Sequence, residues 1–86
     1  MTSAKALADV RGYAKAGRVE FTSHALKEMA EAHASVMDVL NALAHARSCA
    51  HQPGADRWKV KGPDRVGEEM TVIVSIEDGL LVVTVW

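Results

Sequence analysis

The first half of the chain carries apolar residues at the spacing of amphipathic helices. Within residues 4–16 they recur at intervals of about three, which predicts a first helix. These residues are Leu7, Val10, Tyr13 and Ala14. Gly17 follows as a typical C-terminal helix stop. Residues 18–21 then alternate polar and apolar side chains, which predicts a short edge strand or an extended link.

Two further helices are predicted from their start signals. Thr22 and Ser23 are good N-cap residue types, and an apolar stripe at helical spacing follows them. Ser35 and Asp38 have the three-residue separation of a capping box, which predicts the start of a third helix. Apolar residues continue behind this box to about Ala46, and they are Val36, Val39, Leu40 and Leu43.

The second half changes to the two-residue period of β-strands. In residues 57–61 the apolar Trp58 and Val60 face one way, and the three intervening cations face the other. Those cations are Arg57, Lys59 and Lys61. Residues 70–76 and 80–85 are apolar on both faces and rich in β-branched residues, which predicts central strands with helices on at least one side.

Turn chemistry separates these strands and completes the predicted topology. Residues 52–56 and 62–67 contain Pro, Gly and Asp and are expected to form loops. Glu77, Asp78 and Gly79 carry the Asp-Gly signal of a β-hairpin. The order of helices followed by strands predicts one α+β domain over residues 1–86, with N-terminal helices packed on a C-terminal, mainly antiparallel sheet.

Composition and charge narrow the function classes. With 86 residues, the chain has room for one core, and a 49% apolar content is typical of a globular domain. Cys49 is the only cysteine, so an intrachain disulfide is excluded and a reducing, cytoplasmic location is expected. Residues 1–17 contain no continuous apolar run, so no secretory or membrane segment is predicted. The net charge of −1 argues against nucleic-acid binding through overall charge, so such binding would require a local basic surface.

The alternating cations of residues 57–61 form the first candidate binding surface. Alternate side chains on a strand lie roughly 6.6 Å apart, which is close to the spacing of successive phosphates along a nucleic-acid strand, on the order of 6–7 Å. Arg65 in the following loop adds a fourth cation. The alternative interpretation is a solvated sheet face whose lysines protect an edge strand.

His24 is the candidate acid–base group, since it lies at the predicted start of the second helix and imidazole titrates near neutrality. The alternative is a structural histidine that hydrogen-bonds a nearby group. His45, Cys49 and His51 form a possible metal set, but they lack the paired spacing of zinc ligands, so neither a metal nor a cofactor is predicted. The chain contains no phosphate-binding glycine loop and no nucleophile elbow.

Four segments together resemble a known family. They are Gly-Arg-Val-Glu-Phe-Thr-Ser-His-Ala-Leu at 17–26, Trp-Lys-Val-Lys-Gly-Pro-Asp-Arg at 58–65, Met-Thr-Val-Ile-Val at 70–74 and Leu-Val-Val-Thr-Val-Trp at 81–86. In this order the segments resemble small bacterial domains related to MqsR and, more distantly, to the RelE and ParE toxins. The resemblance covers nearly the whole chain.

The resemblance implies a twisted, mainly antiparallel sheet packed against helices and a toxin of a type II toxin–antitoxin pair. Such toxins are commonly metal-independent endoribonucleases acting on mRNA, some of them on the ribosome, and a cognate antitoxin inhibits them. The RNA 2′-OH attacks the adjacent phosphate, assisted by acid–base groups and cations. The resemblance implies that His24 is the acid or base, that Lys59, Lys61 and Arg65 contact and stabilise the phosphate, and that Arg57 assists them. It implies no metal or cofactor, and the short apolar runs of the chain predict no membrane partner.

Two positions depart from the family pattern. Relatives often carry arginines in the helix after the histidine, and here Glu28 and Ala32 occupy those positions. Loss of these cations favours an alternative function, a non-catalytic protein-binding module with the same fold. In that case, residues 57–62 would offer an exposed strand edge for β-augmentation.

Overall fold

The computed structural model describes all residues from 1 to 86 and contains three helices and five strands. In chain order these are α1 (Ser3–Lys15), β1 (Val19–Phe21), α2 (Ser23–Glu31), α3 (Val36–Ala44), β2 (Ser48–His51), β3 (Trp58–Pro63), β4 (Glu69–Glu77) and β5 (Gly79–Val85). The predicted α+β class and the three predicted helices are confirmed. No helix is long and apolar enough to cross a bilayer.

Side-chain caps define where the helices begin. The Thr22 hydroxyl accepts a hydrogen bond from the backbone N–H of Ala25 at 3.0 Å, which starts α2. Ser35 and Asp38 form the predicted capping box at the start of α3, because each side chain accepts from the other residue's backbone N–H. Gly17 follows α1 with a φ of 74°, a left-handed conformation that favours glycine and ends the helix.

The five strands form one mixed sheet in the order β1-β5-β4-β3-β2. The pairings among β2, β3, β4 and β5 are antiparallel, whereas β1 pairs in parallel with β5. Two expectations need correction. The sheet is not wholly C-terminal, because β1 lies between α1 and α2, and β3 is not an edge strand, because β2 pairs along its outer side.

All three helices pack on the same face of the sheet. Their buried residues join the strands in one core cluster of 18 residues. Trp58, Val60 and Gly62 of β3 point into this helical layer, as the strand alternation predicted for the first two. Gly62 lies directly beneath the backbone of Ala42 in α3, where a Cβ atom would clash with the Ala42 carbonyl. The absence of a side chain at Gly62 therefore allows α3 to lie close to the sheet.

Candidate nucleic-acid interface

The sheet face that carries no helix contains the basic strand residues. Lys59 and Lys61 alternate with the buried Trp58 and Val60, so their side chains point away from the helical layer. Arg57 directly precedes β3 and is exposed. None of these three cations belongs to any of the four ion pairs of the structure. We call the surface formed by Arg57, Lys59, Lys61 and the residues paired with them the basic face.

Ile73 is buried on the basic face although no helix packs there. Ile73 is only 4% exposed, yet it does not belong to the core cluster, and it pairs with Lys59 across β3 and β4. Because no helix covers this side, neighbouring side chains of the sheet must shield Ile73 from water. Lysine stems commonly do this while their ammonium groups remain solvated. Lys59, which pairs directly with Ile73, is placed to contribute to this shielding.

Trp86 borders the basic face, although nothing in the local sequence pattern predicted this. Its backbone exchanges two hydrogen bonds with Thr71, at 2.7 and 2.9 Å, and Thr71 pairs with Lys61. These pairings place the Trp86 side chain on the same side as the lysines. The Lys59 ammonium lies 5.7 Å from the centroid of the indole ring, within cation–π range. Strand register alone could have revealed this proximity.

His24 occupies the first turn of α2, as predicted, at the β5 side of the sheet. Its Nε2 lies 3.3 Å from Oε1 of Glu28, and the same oxygen accepts a hydrogen bond from the backbone N–H of Val85 at 3.2 Å. The Thr22 hydroxyl donates to the carbonyl of Val83, a residue that has no cross-strand partner in β4. The start of α2 is therefore tied to the edge of β5 that β1 leaves uncovered.

These contacts give a structural reason for Glu28, one of the two departures from the family pattern. A carboxylate at this position satisfies a strand N–H that lacks a backbone partner, and it also contacts the imidazole of His24. Nothing comparable explains Ala32, which is exposed and follows α2 as its C-cap.

His24 and the lysines are not in direct contact. His24 lies beside β5, and β4 separates β5 from the basic strand β3. Since neighbouring strands are about 4.8 Å apart, the edge of β5 lies on the order of 10 Å from β3. Trp86 follows Val85 directly and lies on the intervening surface. A ligand touching both groups must therefore span at least two strand spacings and pass around the edge of β5, because α2 packs on the other face of the sheet.

Arg65 lies on the opposite side of the sheet from the lysine ammonium groups. Its Nε donates to Oδ1 of Asp38 at 3.3 Å, and its backbone N–H donates to the same oxygen at 3.2 Å. Asp38 belongs to α3, which packs on the helical face. The structure therefore does not bring Arg65 together with Lys59 and Lys61, contrary to the grouping expected from the resemblance.

The carboxylate of Asp38 is expected to make the stability of the domain depend on pH. Hydrogen bonds from the backbone N–H groups of Ser35 and Arg65 lower the pKa of Asp38 from 3.8 to about 2. A lowered folded-state pKa contributes stability above the unfolded value of 3.8, and this contribution disappears as the pH falls towards 2. We expect Asp38→Asn to be less stable than the wild type in urea unfolding near pH 6, with the difference shrinking below pH 3.8 and disappearing below pH 2.

Asp56→Asn is the matched control for this prediction, since Asp56 is exposed and its carboxylate belongs to no ion pair. Its unfolding free energy should follow the wild type across the same pH range. A constant difference between Asp38→Asn and the wild type at every pH would contradict the assignment.

The possible metal set is dispersed in the structure. Cys49 points into the core, and burial raises the pKa of its thiol to about 11. His51 is exposed, and its ring packs edge-on against Trp58 with centroids 4.9 Å apart. No three His, Cys, Asp or Glu side chains of the chain group closely enough to hold a metal ion.

The basic face is flat. The concave regions of the surface lie around the β4–β5 turn, along α1 and beside His51, and none is lined by His24, Lys59 or Lys61. Small-molecule sites are usually concave and mostly apolar, whereas extended polymers bind to flat charged surfaces. Comparison of the chain with protein-family models, curated proteins and solved structures found no match.

Proposed function

We propose that this domain is the toxin of a type II toxin–antitoxin pair and that its basic face binds mRNA. The observation that carries the proposal is the set of three cations without ion-pair partners on one flat sheet face, together with an exposed tryptophan. Cations bind phosphates, and aromatic rings stack on bases, so this combination suits a nucleic-acid strand. The resemblance to the MqsR and RelE families supplies the toxin assignment and the finer description of the fold.

The proposed reaction is metal-independent cleavage of RNA. The substrate's 2′-OH attacks the adjacent phosphorus and forms a new P–O bond, and the bond to the 5′-oxygen of the next nucleotide breaks. This leaves a 2′,3′-cyclic phosphate on one fragment and a 5′-hydroxyl on the other. His24 is the proposed acid or base, and the ammonium groups of Lys59 and Lys61 stabilise the extra negative charge.

Because His24 lies away from β3, His24 and the lysines would contact different parts of the RNA. The lysines would bind the backbone of the RNA, while His24 would act on a phosphate nearer the edge of β5. Substitution of Lys59 and Lys61 should therefore weaken RNA binding, whereas His24→Gln should slow cleavage with little change in affinity. Arg65 is held by Asp38, so it would have to leave that ion pair to reach a phosphate.

The test is expression of the protein alone in a bacterial host, with growth and RNA 5′ ends measured. The variant Lys59→Gln/Lys61→Gln removes two charges and leaves a neutral polar side chain at each position. The matched control Lys15→Gln/Lys27→Gln removes the same charge from α1 and α2. We expect growth arrest and new 5′-hydroxyl ends with the wild type and the control, and neither with the strand variant.

Normal growth and intact RNA on expression of soluble, folded wild-type protein would refute the nuclease. Equal loss of activity in the strand variant and its control would show that total charge, not the basic face, is responsible.

One observation favours a second candidate, a non-catalytic module that binds its partner by β-augmentation. β2 pairs only with β3, so the alternate backbone groups on its outer side have no strand partner. On this side of the sheet the available edge is therefore Ser48–His51 rather than residues 57–62. Under this function, an extended antitoxin segment would pair with β2, and the purified protein would bind antitoxin without cleaving RNA.

A further inference from the structure

We propose that the indole of Trp86 is a stacking platform for an unpaired nucleobase and that the basic face therefore selects single-stranded over duplex RNA. This inference rests on the proposed function and assigns a specificity-determining residue to it. The occupant is a single RNA strand, because the face combines cations for phosphates with an aromatic surface for a base.

The exposure of Trp86 is the first observation behind this inference. The chain has only four Phe, Tyr and Trp residues. Trp58 is buried, and Tyr13 and Phe21 are half-buried against the core, whereas Trp86 is 57% exposed. A large aromatic ring left in water, outside the core, is available to a ligand.

The backbone of Trp86 is held in place, which limits the positions that its ring can take. Its N–H and carbonyl both pair with Thr71 in β4, and Thr71 is itself buried and paired with Lys61. A ring whose backbone is already ordered loses less conformational freedom on binding than one on a flexible segment.

The position of Lys59 links stacking to phosphate binding. Its ammonium lies 5.7 Å from the indole centroid, and Trp86 as a residue is 57% exposed. A nucleotide whose base stacks on Trp86 would present its phosphate close to this ammonium. Lys61 lies in the same cross-strand row as Trp86, two strands away, where a neighbouring phosphate of the same strand would reach it.

The stacking geometry excludes a duplex from this contact. Bases inside an RNA helix already stack on one another and present only their edges in the grooves. An aromatic side chain therefore reaches a base face only in unpaired segments or at the end of a helix. Stacking is tolerant of base identity because every base has a π-face. We therefore expect strand selectivity with weak preference among the four bases.

The test is a titration of folded full-length protein into fluorescein-labelled oligouridylate, compared with a self-complementary RNA duplex of equal nucleotide count. To prevent cleavage, every protein carries His24→Gln, and binding is measured by fluorescence anisotropy. We expect Trp86→Ala to weaken binding of the single strand by about 5- to 150-fold, the effect typical of losing one base stack. Trp86→Phe should retain most of the affinity.

Two further measurements distinguish loss of base stacking from general disruption of the RNA-binding surface. The dependence of affinity on salt should be the same for Trp86→Ala and its parent, because no phosphate contact is removed, whereas Lys59→Gln should reduce it. Leu81→Ala is the matched control, since Leu81 is an exposed apolar residue on the same sheet face, and its affinity should be unchanged.

The results distinguish failure of the stacking platform from failure of the proposed RNA-binding function. If the parent binds neither RNA, the proposed function fails and the inference fails with it. If the parent binds the single strand and Trp86→Ala binds equally well, only the stacking platform is refuted. If the parent binds duplex as tightly as single strand, the proposed selectivity is wrong.

Discussion

Replacing Gly62 with alanine should destabilise the domain by about 3 kcal/mol or more, since over-packing against backbone cannot be relieved by a rotamer change. The new Cβ would lie 2.9 Å from the carbonyl carbon of Ala42 and closer still to its oxygen. To accommodate the methyl group, α3 must move away from β3, which opens the core around Val60. For a domain of this size, the midpoint temperature of thermal unfolding should fall by at least about 12 °C.

Gly12→Ala is the matched control for this prediction. Gly12 lies in the exposed part of α1, and a Cβ there would meet nothing within 4 Å. Alanine should stabilise the helix by about 0.5–1 kcal/mol, because glycine has the higher conformational entropy to lose. Thermal unfolding followed by circular dichroism measures the midpoint temperatures of both variants and of the wild type. Equal midpoints for Gly62→Ala and the wild type would mean that α3 does not lie as close to β3 as described.

Replacing Leu43 with alanine should cost about 2–5 kcal/mol, the range found for removing a fully buried leucine side chain. Leu43 is 0% exposed and belongs to α3, which packs on both the sheet and α1. Few neighbours can move into the space, because helices and strands surround it and the chain has few large side chains to shift. The expected loss is a large part of the stability of a domain this small.

Leu26→Ala is the matched control, because it makes the same substitution at a leucine that is largely exposed. Leu26 lies on α2 and is 47% exposed, so its truncation should change the unfolding free energy by less than about 1 kcal/mol. Urea unfolding of the two variants at neutral pH provides the measurement. Similar losses for Leu26→Ala and Leu43→Ala would show that the core is not organised around α3.

Local signals predicted the helices and the three longest strands because each signal acts within a few residues. The Ser35–Asp38 box, the Gly17 stop and the Asp-Gly turn before β5 all depend on contacts between near neighbours in the chain. Alternation over residues 57–61 likewise predicted that Lys59 and Lys61 face away from the core. These properties need only the geometry of a helix or strand.

β2 escaped prediction because its sequence lacks strand character. Ser48–His51 contains none of the β-branched residues, Phe, Tyr or Trp that favour strands, and three of its four residues are exposed. It forms because pairing with β3 satisfies its backbone groups, a contact that depends on where α3 delivers the chain. For β1, alternation over residues 18–21 predicted a short edge strand or an extended link, and the structure has a strand there. Its parallel pairing with β5 was not predicted, because β5 lies some sixty residues later in the chain.

The candidate site shows the same division. Sequence alone determined three helices, a basic strand with its cations on one side, and a histidine at the start of α2. Only the tertiary structure decided that Asp38 holds Arg65, that Glu28 links His24 to β5, and that Trp86 lies beside Lys59. Local elements follow from periodicity and capping between near neighbours, whereas the composition of a surface follows from strand order and register, which join residues far apart in the chain.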